Sequence, residues 1–280
     1  MKIKLTHIVL LLMFATPLQS FAQNNLLGIG SWLCFYDNAF PTKEIPRYDL
    51  YILDSSNHPD LVPLKTHGSK VVGYVSFGEV NKTDPRFDEF MREGLLVEEN
   101  ENWPGSHRVD IRNDKWHSYV LNTLIPKTLS EGFDGIFIDT IDTAHYLEQV
   151  KGMKGASRGA IKLLKEVRKK YPNLIIILNN GLSLLNDVGM IIDALLIEDV
   201  YTLYDFKKKQ YKMAADKWSN ERLIPLKEFQ DKFQKPVLTL DYLKPRDKKN
   251  IRKVAKKAKA QGFIPYVSDI DLKTIFFKNQ

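Results

Sequence analysis

A chain of 280 residues, 44% hydrophobic and 27% charged, suits one large α/β domain or two smaller ones and excludes a disordered or low-complexity protein. The single cysteine, Cys34, excludes an internal disulfide, and the six histidines never form HxH or HExxH, so no metal site is expected. The formal charge is +7, or +5 without Lys2 and Lys4. Its excess sits in Lys244–Lys259, where no aromatic rings interleave, which reads as a solvated helix face and not as a nucleic-acid platform.

Lys2 and Lys4 precede the apolar run from Ile8 to Phe14, and Ser20-Phe21-Ala22 offers the small residues of a cleavage site. Residues 1–22 are therefore expected to be a secretory signal peptide cleaved near Ala22, with the mature chain, 23–280, exported to the periplasm or the exterior. The apolar run is too short to span a bilayer, so no stable membrane insertion is expected.

Strand-like and helix-like segments then alternate. The spacing predicts strands at Trp32–Tyr36, Tyr48–Asp54, Lys70–Gly78, Phe133–Asp139, Leu174–Asn179, Asp193–Glu198, Pro236–Asp241 and Gly262–Ser268. These runs are nearly continuous in apolar character, as strands covered on both faces are. Helices are expected at Asn113–Ser130 with a kink at Pro126, at Ser157–Tyr171 capped by Ser157, and at Phe206–Trp218, Leu226–Phe233 and Asp247–Ala260. Glu79–Asn113 lacks clear periodicity, and loops of that length usually carry function.

Eight strand signals alternating with helices mean an α/β barrel or a doubly wound sheet. Neither GxGxxG nor GxxxxGK[ST] follows the first strand, which favours a single (β/α)8 TIM barrel. Asp54, Glu79, Asp139, Glu198, Asp241 and Asp269 each end or follow an apolar run, and in a barrel such positions converge on one rim. Each alone could be a helix cap or a first-turn charge. Together they describe an acidic mouth beside Tyr36, Tyr74, Trp103, Tyr201, Tyr242 and Tyr266, whose rings suit the faces of sugars. Such a mouth, without metal ligands, points to carboxylate chemistry, with glycoside hydrolysis the leading case. It would draw in a neutral or cationic ligand and repel an anionic one.

Five motifs sharpen this reading. Gly73–Glu79 (GYVSFGE), Val109-Asp110-Ile111 with Trp116, Gly132–Asp142 (GFDGIFIDTID), Asn179-Asn180-Gly181 and Ile197-Glu198 occur in an order that resembles glycoside hydrolase family 114. Members of that family are barrels similar to endo-α-1,4-polygalactosaminidase. The resemblance implies a catalytic pair at the ends of strands four and six, here Asp139 as nucleophile and Glu198 as general acid/base. It further implies a polysaccharide substrate containing α-linked galactosamine. Asp54, Glu79, Asp142 and Asp199 would bind the amino or hydroxyl groups of the sugar, and Asn180, Asp241 and the rim aromatics would line the site. No cofactor is expected. The alternative is a non-catalytic barrel that binds envelope or extracellular polysaccharide through the same carboxylates. A carbohydrate de-N-acetylase would need a metal-binding Asp/His set that the chain lacks. Oligomeric state is left open.

Overall fold

The structure is a computed structural model that describes residues 26–40 and 47–276, so the expected signal peptide lies outside the described residues. Eight parallel strands follow one another in chain order: Trp32–Phe35, Leu50–Asp54, Lys70–Ser76, Gly135–Asp139, Ile175–Asn179, Ala194–Glu198, Val237–Tyr242 and Ile264–Ser268. Each is paired with the next. The first and eighth meet at a seam where the Trp32 indole donates to the Ile264 carbonyl at 2.8 Å and packs on Tyr266, ring centroids 5.3 Å apart. The result is a nearly closed barrel with helices between the strands, the (β/α)8 fold expected from the sequence.

The two-residue period of the strands divides the core in two. Cys34, Ile52, Val72, Phe137, Ile177, Leu196, Leu238 and Leu240 belong to one buried cluster, which fills the barrel. Ile136, Ile138, Ile176, Leu178, Leu195, Ile197, Val237 and Val267 belong to a second, where the sheet packs on helix residues such as Leu163, Val167, Leu226, Phe229 and Val254. Truncating one of these buried leucines to alanine would cost about 2–5 kcal/mol.

Three local expectations need correction. Phe206–Trp218 is not a helix: Thr202–Asp205 and Gln210–Met213 form an antiparallel hairpin, and the helix starts at Asp216 and runs to Phe233. The Asp205 carboxylate accepts from the Lys208 amide, and Tyr204 packs on Tyr211, so turn chemistry and a cross-strand aromatic pair override the helix propensity of the lysines. Ser157 is not an N-cap either. Gly155 holds that position, and Glu148 reaches from the preceding helix to accept from the Gly155 and Ser157 amides. Hydrogen bonds from Ser157 and these amides hold the Glu148 carboxyl down to about 2. Finally, Glu79–Asn113 is structured. Glu79–Asn81, Leu96–Glu99 and Ser106–Val109 form a small antiparallel sheet with the helix Phe87–Arg92 beside it. Ahead of Pro126, where a kink is expected, the helix is interrupted by a π turn over Val120–Leu124, just before the helix Ile125–Ser130. Among the described residues no helix is long and apolar enough to cross a membrane.

Candidate functional site

Strands three to seven each place a polar side chain at the carboxyl end of the barrel interior. They are Tyr74, Asp139, Asn179, Glu198 and Tyr242, and they form one hydrogen-bonded chain. The Tyr74 hydroxyl donates to Asp139 Oδ2 at 2.8 Å. The Asn179 amide Nδ2 donates to Asp139 Oδ1 and to Glu198 Oε1, both at 2.7 Å. The Tyr242 hydroxyl donates to Glu198 Oε2 at 2.6 Å. All four carboxylate oxygens of Asp139 and Glu198 are thus met by side-chain donors and none by a backbone amide. Tyr36 packs edge-on against Tyr74 at 5.3 Å and is hydrogen-bonded to Cys34, so the first strand floors the same space.

The backbone turns sharply just past each of the three central residues. Thr140, Asn180 and Asp199 have φ of 58°, 53° and 57°. A non-glycine residue in this left-handed region costs roughly 1–2 kcal/mol, and such strain gathers at functional sites. At the first kink the strain is braced: Thr140 Oγ1 accepts from the Gly78 amide at 2.9 Å and bonds to the Ser76 hydroxyl at 2.8 Å. Gly78 has to be glycine, because a Cβ there would lie 2.0 Å from the Thr140 carbonyl oxygen. At the third kink, the Trp218 indole donates to the Asp199 carbonyl and Arg222 to the Glu198 carbonyl, both at 2.8 Å.

Electrostatics follow from this crowding. Burial and the neighbouring Asp139 charge raise the Glu198 carboxyl, against the lowering bonds from Tyr242 and Asn179. Desolvation, then Glu198 and Asp241, push Asp199 up to about 7. Asp142 stands exposed at the lip, at the N-cap position of the helix Thr143–Gln149. Protein mass around it and Asp139 push it up to about 6. Burial raises the tyrosines Tyr36, Tyr74 and Tyr242, which remain donors at neutral pH. Raised carboxyls gathered at one mouth, here Asp142, Asp199 and Glu198, are a pattern common at proton-transfer sites.

The residues singled out from the sequence divide accordingly. Tyr36, Tyr74, Asp139, Glu198 and Tyr242 come together, with Asp142 and Asp199 beside them. Asp139 does not cap the following helix, since its two oxygens are taken by Tyr74 and Asn179. The structure places six others elsewhere. Asp241 is fully buried and one residue out of phase with Tyr242, so it points outward; its Oδ1 accepts from the Tyr201 and Thr202 amides at 2.7 and 2.8 Å. Tyr201 is on that outer side too, its ring beneath Lys257. Glu79 is buried under the small sheet, accepting from Asn100, Ser106 and Thr143. Asp54 Oδ1 holds a turn through the Ser56 and Asn57 amides. Asn180 forms the kink itself, its backbone N–H donating to the Leu196 carbonyl at 2.9 Å, while its neighbour Asn179 enters the barrel. Trp103 is half exposed and touches Phe206 of the hairpin, centroids 5.2 Å apart. Sequence reading passed over Asn179, Ser76, Thr140, Trp218 and Arg222. For Asn179 a signal existed, because it shares the phase of Ile177, which faces the interior.

Residues 20–279 match the family described as Glycoside-hydrolase family GH114. The chain is 28% identical over 275 residues to an uncharacterized protein of Thermotoga maritima, covering 88% of this chain and 82% of that one. It resembles the solved glycoside hydrolase domain of PelA from Pseudomonas aeruginosa with a TM-score of 0.78 and 23% identity, over 89% of this chain and 98% of that one. Ega3 of Aspergillus fumigatus, solved in complex with galactosamine, is similar with a TM-score of 0.69 and 17% identity, over 88% of this chain and 93% of that one.

Proposed function

Because the chain belongs to glycoside-hydrolase family GH114, we propose that it cleaves an α-linked, galactosamine-containing polysaccharide, with Asp139 as nucleophile and Glu198 as general acid/base. The observation that carries this reading is the pair of carboxylates joined by one Asn179 amide at the barrel mouth. Sharing a donor at 2.7 Å on each side limits their nearest oxygens to about 5.4 Å, close to the roughly 5–5.5 Å of retaining pairs and short of the roughly 6.5–9.5 Å of inverting ones.

The chemistry follows from the charges. Burial and the Asp139 charge favour the protonated form of Glu198, the form that delivers a proton to the glycosidic oxygen as the bond to the anomeric carbon breaks. Asp139 attacks that carbon and forms a glycosyl ester. The ester is neutral, so the main charge opposing ionisation of Glu198 disappears and its proton affinity falls. Glu198 then takes a proton from water, whose oxygen attacks the anomeric carbon, frees Asp139 and returns the sugar with its original configuration. Asp142 and Asp199 at the lip supply the charge for ammonium groups of the polymer. Ega3 binds galactosamine in its crystal, which supports that substrate class. The site is proposed to work outside the cytoplasm, after removal of residues 1–22.

A reducing-end assay on α- and β-linked galactosamine, N-acetylgalactosamine and neutral polymers tests the activity. Release from the α-linked galactosamine polymer, lost in Asp139→Asn and in Glu198→Gln, is the expected result. Cleavage at the wild-type rate by either variant would refute the assignment, and retained binding without any cleavage would favour a binding barrel. N-terminal sequencing of exported protein should begin at Gln23.

A further inference from the structure

Asn179 is 2% exposed and stands at the centre of the hydrogen-bonded chain. Its Nδ2 serves both carboxylates, one hydrogen to each, while its Oδ1 is buried with no partner. Reversing the amide would aim the carbonyl oxygen at two carboxylates, so the neighbours dictate this orientation. Buried polar atoms are nearly always paired, and one left unpaired calls for a reason. Here the reason is the donor end, which alone touches both acids. The outer oxygens are held from the opposite sides by Tyr74 and Tyr242.

We propose that Asn179 is a positioning residue that sets the spacing of Asp139 and Glu198 and couples their proton affinities. The proposal rests on the reading of these two acids as the reacting pair. A donor bonded to an ionised carboxylate favours that form, so removing the one amide shared by the two acids acts on both at once. The titratable groups that face the pair are Cys34 and Tyr36 from the first strand, Tyr74 from the third, Asp142 past the fourth, Asp199 past the sixth and Tyr242 from the seventh. Glu79 and Arg222 act from further out. None of these touches both acids.

Carboxyl 13C NMR titration of the free protein provides the test, with Glu198→Gln used to assign the pair. In Asn179→Ala both apparent midpoints are expected to rise by about one pH unit, because each acid loses a charge-assisted bond. The isosteric Asn179→Asp preserves the packing if alanine unfolds the chain, and it too is expected to raise both midpoints. In the cleavage assay, kcat of Asn179→Ala should fall about 10²-fold with KM within about threefold, and the whole pH profile of kcat/KM should move upward. Midpoints that stay in place, or movement of one alone, would overturn the proposal. The titration uses no substrate. An inactive wild type would therefore count against the proposed hydrolysis, while the midpoints still decide the role of Asn179.

Discussion

Two carboxylates near the end of the barrel, Glu198 and Asp241, are separated by one strand position and one face of the sheet. Glu198 looks inward and accepts from two side chains, Asn179 and Tyr242. Asp241 looks outward and accepts from two backbone amides and the Thr202 hydroxyl. Asp134 and Asp193 at the opposite rim behave like Asp241, accepting from the Val71 and Ile176 amides and pairing with Lys65 and Arg168. Among these four acids, the three that bind backbone amides hold loops in place, whereas Glu198, bound only by side chains, is the one left to react in the proposed chemistry. Burial and elevated proton affinity do not separate the two classes, since both Glu198 and Asp241 are desolvated. The donors do.

The contrast can be broken by mutation. The largest effect is expected from Asp139→Asn and Glu198→Gln, each lowering kcat at least about 10³-fold, with a melting temperature equal to or above that of wild type because a crowded charge is gone. Asp241→Ala should do the reverse, costing about 1.5–3 kcal/mol in chemical denaturation while the folded fraction keeps its kcat. An Asp241→Ala protein that melts normally yet is inactive would erase the distinction. Tyr242→Phe removes one charge-assisted bond to Glu198 and should lower kcat/KM about tenfold or more, moving the basic limb of the pH profile upward.

Stability against pH offers a milder test. The folded-state values of Asp199 and Asp241, about 7 and about 6, lie above their ordinary 3.8. The unfolded chain therefore gives up these protons first, so their contribution is full below about pH 4 and lost as pH rises to 6–7. Melting temperature should fall across that window, and Asp199→Asn should flatten the slope. An unchanged slope would show that Asp199 titrates normally. The smallest effect is expected at Trp103, where alanine should raise KM for long polymer several-fold and leave that for a short oligosaccharide unchanged.

Much of this was legible in the sequence. The eight strands announce themselves through runs such as Ile175–Leu178, and a carboxylate closing an apolar run, as in Asp139 and Glu198, marks the barrel rim. The face of each residue was equally legible but needed counting: Asp241 and Tyr242 cannot both point inward, nor can Asn179 and Asn180. The hairpin was not, because its lysine-rich run favours a helix until Tyr204 and Tyr211 pair. The Glu79–Asn113 region hid for another reason. Its strands of three or four residues are too short to show a period, and their pairing depends on contacts such as that of Glu79 with Ser106, 27 residues away.

The left-handed turns at Thr140, Asn180 and Asp199 have a consequence for how such a barrel can diverge. Each ends the strand's direction one residue after Asp139, Asn179 or Glu198, so the following loop begins on a new heading. Lengthening or exchanging that loop need not transmit movement to the acids behind the turn. Replacing residues 203–212 with a short turn is accordingly expected to change which polymer binds, while hydrolysis of a small activated α-galactosaminide persists. Rate measurements on both substrates would show whether the mouth can be re-fitted to a new glycan independently of the reaction beneath it.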